Sequence, residues 1–492
     1  MELLRPGFSL APLHKAMINI GALFDIPTGT FLMGKYGEMI LNGGIANITG
    51  IAGQGNSFKS TLMDFMIAMA MFRIHAMSTA SVYDTEMNKH EWRLKTLQRF
   101  IMLYLGMKTE DPDLFEQGRM VITDKTMHTG DEWYDILRTY LITKKKGAKS
   151  IMANTPFIDR DGESLMQMII PTFTGVDSFS QFITQNAMKL QEENNIGESG
   201  TNMLNMQQGR AKAQFLMEIP ALAQAAYNYV FLSVHIGEEF NMDPHNPKQK
   251  KLQYLKQGQK IKGAPEGFMF LTNNCWMASS ATILKADDGN GPLYPRDSDD
   301  KLKSDTDLNA VTVALLRGKS GMSGLPQQVV ISQAEGVLPA LTEFHYLRQV
   351  KEKGGDKRYG FNGNLQNYEM DLLPGVKLSR TAARSKIDDN AQLRRALNIT
   401  AELCQMQQLW HEDSGNYQML PSDLYAALTQ KGYDWNVLLN TRGWWALDND
   451  DPKHALPFLS SMDLLRMAKD EYVPYWMTAD KKVKPEYQKA AA

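Results

Sequence analysis

"GQGNSFKST", residues 53–61, carries Gly53, Lys59 and Ser60 at the spacing of a phosphate-binding loop, G-x-x-x-x-G-K-[ST], but Phe58 stands where the second Gly belongs. Taken alone, the match is balanced between a nucleotide site and a chance loop. Its setting argues for the site. "GGIANITGIAG" (43–53) reads as a short apolar strand with glycines on either side, and "STLMDFMIAMAMFRIHAM" (60–77) has helix-like apolar content. In a strand, loop and helix arrangement, backbone N–H groups and the positive helix end surround phosphates while a Lys reaches the terminal ones. The candidate nucleotide residues are therefore Gly53, Gln54, Gly55, Asn56, Ser57, Phe58, Lys59, Ser60 and Thr61. A Phe can replace the glycine only where the backbone angle is ordinary.

Further strands continue the pattern. "ASVYDTEMNKHEWRL" (80–94) reads as a strand ending in Asp84 and Glu86, then a helix. "MIIPTFTGVDSFSQF" (168–182) is an apolar strand interrupted by Pro171 and ending in Asp177 and Ser178. An Asp there can hold Mg²⁺ through water beside a phosphate loop. "YNYVFLSVHIGEE" (227–239) ends in His235, able to hydrogen-bond a phosphate, and "NAVTVALLRGKSGMSG" (309–324) ends in the cations Arg317 and Lys319. Each is ordinary for a strand end, but five such features in this order argue together. Alternating strands and helices predict an α/β fold with a mostly parallel, doubly wound sheet. Such sheets bind ligands beyond the carboxyl ends of their strands, where all five features are expected to gather.

Composition allows this. At 492 residues, roughly 150 per domain suggests two or three domains. Apolar residues form 43% of the chain and the net charge is -2, so a nucleic-acid site must be a local patch. Two distant cysteines, Cys275 and Cys404, suit a reducing compartment. There is no secretory leader pattern at the N-terminus and no run near the roughly 18 apolar residues of a membrane span, so a soluble, intracellular chain is expected. The 31 methionines read as compositional bias rather than adaptable packing.

With these residues in place, the chain resembles the RecA-type recombinases, most closely the phage UvsX-like branch, whose phosphate loop carries S-F-K-S as Ser57 to Ser60 do here. "IPTGTFLMGKYGEMILNGGIANITG" (26–50) is similar to the family's approach to its core, and "VYDTE" (82–86) to its strand-end Asp-x-Glu. "GVDSF" (175–179) resembles its magnesium-Asp strand. "QQGRAKAQFLMEIPAL" (207–222) and "SVHIGEE" (233–239) resemble its sensor helix and strand. The likeness spans about residues 25 to 345 and rests on these motifs in combination.

The resemblance implies a RecA-like P-loop ATPase core at 29–345, an N-terminal arm at 1–28 and a smaller, largely helical C-terminal accessory domain at 346–492. The arm is expected either on a neighbouring protomer or on its own core. ATP and Mg²⁺ are the implied cofactors. Lys59 would bind the phosphates, Ser60 and Asp177 the metal, and Glu86 would activate water. His235 would sense the γ-phosphate, while Arg317 and Lys319 would reach a neighbour's ATP. The implied partners are single-stranded DNA, homologous duplex DNA, other copies in a helical filament, and single-strand-binding or mediator proteins, with no membrane, in the cytoplasm of a phage-infected bacterial cell. The implied function is strand exchange in recombination, repair and replication. A hexameric DnaB-type helicase and a DNA-binding accessory protein with little ATPase activity are the alternatives.

Two segments correspond in position to the family's DNA loops. "KLQEENNIGESGTNMLNMQQGR" (189–210) is polar, reads as a flexible loop, and contributes Arg210. "GEEFNMDPHNPKQKKLQYLKQGQKIKGAPEGF" (237–268) carries Lys248, Lys250, Lys251, Lys256, Lys260 and Lys262 for phosphate contacts. "KKKGAKSIMANTPFIDRDGESLMQ" (144–167) reads as a surface insertion with a solvated lysine run. "RQVKEKGGDKRYGFNGNLQNYEM" (348–370) reads as a linker. Five of eight tryptophans between 410 and 476 suggest a C-terminal core of its own. There "LPSDLYAALTQKG" (420–432) predicts a helix capped by Ser422 and stopped by Gly432. With the following residues to Trp445 it leaves open a DNA-binding helical turn.

Overall fold

The computed structural model describes all residues except 1–15, 160–161, 194–200, 239–254, 287–290, 297–305, 319–324, 365, 410–414, 449–453, 455 and 489–492, with backbone alone at 201–205. Its main sheet has ten strands. They are β1 (Ile48–Gly53), β2 (Thr79–Asp84), β3 (Met120–Asp124), β4 (Thr172–Asp177), β5 (Asn228–Glu238), β6 (Gln259–Lys262), β7 (Asn274–Ile283), β8 (Leu308–Gly318), β9 (Pro326–Ser332) and β10 (Gly336–Val337). They lie in the order β10-β9-β8-β7-β1-β5-β4-β2-β3, with β6 beside β5. From β7 to β3 every pair is parallel. From β7 to β10 every pair is antiparallel, and β6 folds back antiparallel on β5. The predicted α/β class with a mostly parallel sheet is thus observed.

Both faces of the sheet are covered, because successive side chains point to opposite sides. On β5, Tyr229 and Phe231 join one hydrophobic cluster while Val230, Leu232 and Val234 join the other. The first face packs on helices α1 (Lys59–Ile74) and α2 (Glu91–Tyr104). The second packs on α3 (Gly130–Lys146) and, after the short α4 (Gln185–Glu193), on the long α5 (Thr201–Ala225). Every residue of α1 but Ser60 is buried. A helix this largely apolar lies inside, and Met63, Met66, Met69 and Met71 fill its surroundings as flexible packing side chains. The stripe on α2, with Leu94, Leu97, Gln98, Ile101 and Met102 buried, is the ordinary one-sided pattern.

Two segments outside the main sheet cover α1. Ile18, Ile20, Leu23 and Phe24 are buried in the α1 cluster, so the described part of the N-terminal segment docks on its own chain. Among the described residues after 346, Trp435, Trp445 and Trp476 belong to that same cluster rather than to a core of their own. Its helix Ser461–Ala468 docks on the strand Met39–Gly44, where Met39 N–H donates to Asp463 Oδ1 at 2.9 Å and Arg466 donates to Gly37 O at 2.7 Å. The expected linker holds structure instead. Phe361–Asn364, Asn367–Met370 and Leu373–Leu378 form an antiparallel sheet with Phe361, Tyr368 and Met370 buried. Alternating apolar residues within that charged stretch override its Gly-rich composition.

Smaller corrections follow the same logic. The helix expected at Ser422 is Pro421–Gln430, beginning after Leu420 with no side-chain cap and with Pro in its first turn. Gly432, just past its end, takes a φ of 81°. The next helix, Trp435–Leu439, is short and buries Trp435, Leu438 and Leu439, with Asn436 exposed. The insertion at 144–167 is a hairpin, Met152–Ile158 with Leu165–Ile169, and Phe157 is buried edge-on to Trp445. Lys144, expected in a solvated run, is buried with its ammonium on Thr172 Oγ1 at 2.9 Å; burial pulls its pKa down to about 7. Among the described residues, no helix is long and apolar enough to cross a membrane.

Candidate functional site

Parallel registers bring the strand ends level. Gly53 lies opposite His235 on β5 and Ala278 on β7, while Asp84 lies opposite Asp177 and Asp124. The loop between β1 and α1 leaves from this edge. A Cβ on Gly53 would stand 2.2 Å from Ser57 Oγ, so the tight closure requires glycine there. Gln54, Gly55 and Asn56 are exposed and Lys59 is buried. No carboxylate pairs with Lys59 among the described residues. Thr61 is buried under the loop.

Phe58 corrects the expected ordinary backbone. Its φ is 58° and ψ 22°, left-handed, as is Asn56 at φ 58°. The residue therefore keeps the conformation that a glycine supplies freely, at a cost of roughly 1–2 kcal/mol. Its half-buried ring packs against the α1 cluster, which offsets that cost.

Glu86, His235 and Asp177 converge. His235 Nε2 lies 3.0 Å from Glu86 Oε1, and Gln181 Nε2 donates to the same oxygen at 3.4 Å. Asp177 is buried. Ser233 Oγ donates to its Oδ1 at 2.5 Å, and Lys89 Nζ is 3.0 Å from its Oδ2. Burial pulls the Asp177 carboxyl up. The Lys89 ammonium with the Ser233 and Ser60 hydroxyls pulls harder, and the group stays below the usual carboxylate range. Ser60 and Asp177 thus meet at the amino end of α1. This hydroxyl and carboxylate fit Mg²⁺, which takes one or two protein groups and fills its sphere with phosphates and waters. No group of three or more His, Cys, Asp or Glu side chains that could hold a metal ion occurs among the described residues.

His235 is not the end of its strand. β5 runs on to Glu238 and pairs with β6, Lys262 opposite His235 and Lys260 opposite Gly237. The lysine-rich segment is therefore a hairpin where it is described. Lys256 and Lys262 are exposed, while Lys248, Lys250 and Lys251 lie outside the described residues. The other expected loop is largely helical: α4 covers its start, and α5 begins at Thr201 and carries the exposed Arg210.

Arg317 does not gather with the rest. β8 runs antiparallel to β7, so Arg317 lies opposite Cys275, which lies opposite Gly50. Three residues of strand, roughly 10 Å, separate that level from Gly53. Arg317 sits toward the other edge of the sheet, its guanidinium 4.7 Å from the ring of the exposed Phe270. Lys319 is outside the described residues.

Sequence reasoning missed several members of the site. Ser180 Oγ accepts His235 N–H at 3.0 Å and donates to Lys262 O at 2.9 Å. Lys212 Nζ donates to Ser180 O at 2.7 Å and Gly263 O at 2.8 Å, tying α5 to the hairpin base. Lys89 bridges Asp64 and Asp177. Lys212 lies in the stretch 207–222 quoted for the sensor helix, but the sequence names no partner for any of the three, because each contact joins segments far apart in the chain. A scan against protein-family models finds no match to this chain, and a search of curated proteins finds none either.

Proposed function

We propose that this chain is a RecA-type, ATP-dependent DNA recombinase that assembles on single-stranded DNA. The observation that carries the reading is the junction at His235. One ring contacts Glu86 beside the loop, and its strand continues directly into the lysine-bearing hairpin. A group that feels bound phosphate is thus rigidly joined to a segment suited to nucleic-acid phosphates.

In this reading Lys59 and the amides of residues 55–61 hold the phosphates. Ser60 and Asp177 would hold Mg²⁺, which would neutralise charge on the phosphates. Glu86 accepts the proton of the attacking water, a task suited to a carboxylate held in place by His235 and Gln181. His235 reads occupancy of the site, and Ser180 passes its position to Lys262. Arg317 lies too far from its own loop to serve it, which supports action with Lys319 on the ATP of a neighbouring copy.

A DNA-stimulated ATPase assay with electron microscopy tests the proposal. Hydrolysis raised by single-stranded DNA, with helical filaments, is expected. Closed six-fold rings would favour the helicase alternative, and DNA binding without hydrolysis would favour an accessory protein.

A further inference from the structure

Lys89 is the least expected member of the site. The chain from Glu86 to Lys89 wraps around one carboxylate. Asp84 Oδ1 accepts the N–H groups of Glu86 and Met87 at 3.0 and 2.9 Å, and Oδ2 those of Asn88 and Lys89, both at 2.8 Å. The Lys89 side chain then turns inward. Its ammonium reaches both oxygens of Asp64 at 2.7 and 2.8 Å and Asp177 Oδ2 at 3.0 Å, with the three side chains 4%, 7% and 1% exposed. Asp64 lies one turn of α1 beyond Ser60.

We infer that Lys89 is a positioning residue which clamps the Glu86 segment to α1 and keeps divalent metal off the Asp64–Asp177 pair, so that the metal is held at Ser60 instead. The inference rests on the nucleotide reading above. An ammonium between two buried carboxylates occupies the place where a hard cation would otherwise bind. It satisfies the acids without becoming a ligand itself. It also fixes the segment from its far end while Asp84 fixes it from the near end. Glu86 is thereby held against His235 before any ligand arrives. Small displacements of a catalytic group cost as much as about 100-fold in rate.

Two readouts test it on the full-length protein. In the first, Mn²⁺ is titrated into nucleotide-free protein and free ion is followed by electron paramagnetic resonance. Lys89→Met should bind an additional Mn²⁺ per chain compared with wild type, while Lys89→Arg should keep the metal out. In the second, steady-state ATP hydrolysis is measured across Mg²⁺ concentrations. Lys89→Met should lose about 10- to 100-fold in turnover and shift its Mg²⁺ midpoint, with nucleotide affinity retained through Lys59.

If Lys89→Met does not fold, the charge-balanced pair Lys89→Met, Asp64→Asn removes one acid with the ammonium and serves in its place. It should fold, still hydrolyse slowly, and be rescued by neither Mg²⁺ nor Mn²⁺. Wild-type turnover in that pair, or equal Mn²⁺ uptake by wild type and Lys89→Met, would overturn the inference. Absence of hydrolysis in wild type defeats the nucleotide reading instead, and the Mn²⁺ titration then decides Lys89 alone.

Discussion

Replacing Phe58 separates backbone strain from packing at the centre of the candidate site. Phe58→Ala removes the half-buried ring, about 1–1.5 kcal/mol of the roughly 1.5–3 expected for a fully buried Phe. It keeps the cost of a Cβ in the left-handed region, because φ at this position is 58°. Phe58→Gly loses the same ring but recovers roughly 1–2 kcal/mol of strain, against about 0.5–1 kcal/mol of extra chain entropy lost on folding. The preference for Gly over Ala at a helix N-cap acts in the same direction. The glycine variant should therefore be more stable than the alanine variant by about 0.5–1 kcal/mol, although both fall at or below wild type. Differential scanning of the two variants side by side reads this as a gap of about 1–2 °C, since large chains shift less per kcal/mol. Nucleotide binding by Phe58→Gly should equal wild type, as the loop keeps its path. An alanine variant as stable as the glycine variant would refute the left-handed assignment and the account of how Phe replaces glycine here.

Other outcomes follow from the same contacts. Glu86→Gln should bind ATP and DNA yet hydrolyse at least about 100-fold more slowly, measured by phosphate release; a wild-type rate excludes Glu86 as the proton acceptor. Neutralising Lys248, Lys250, Lys251, Lys256, Lys260 and Lys262 together should weaken single-strand binding and flatten its dependence on salt, read by fluorescence anisotropy, without unfolding the protein. Lys144→Met should raise stability by about 2–4 kcal/mol below pH 7, where the folded protein must keep a buried ammonium. Between about 7 and the ordinary 10.5 the unfolded chain binds more protons at this Lys than the folded one. Wild-type stability therefore rises with pH through that window, and the advantage of the variant fades; a pH-independent difference in thermal midpoint would count against this. Arg317→Ala mixed with Lys59→Ala should recover part of the hydrolysis that each lacks, through interfaces pairing an intact loop with an intact Arg317.

The sequence by itself determined the elements and the row of polar strand ends. Apolar runs ending in Gly or Asp fix β1, β2 and β4, the apolar run before His235 marks most of β5, and the largely apolar stretch after Ser60 reads as a buried helix. Those signals are local, so they survive reading one residue at a time. Direction, partners and conformation are not local. Only the pairing of β8 against β7 placed Arg317 away from the loop, because nothing in "ALLRGKSG" states which way its strand runs. Only the backbone path showed Phe58 in the left-handed region. Nothing in the sequence marks Lys89; only folding sets Asp64 and Asp177 on either side of it, where burial makes an ion pair nearly obligatory. The tryptophans after residue 410 likewise announced a core, but only tertiary packing decided that it is shared with α1, since an apolar surface does not specify which partner will cover it.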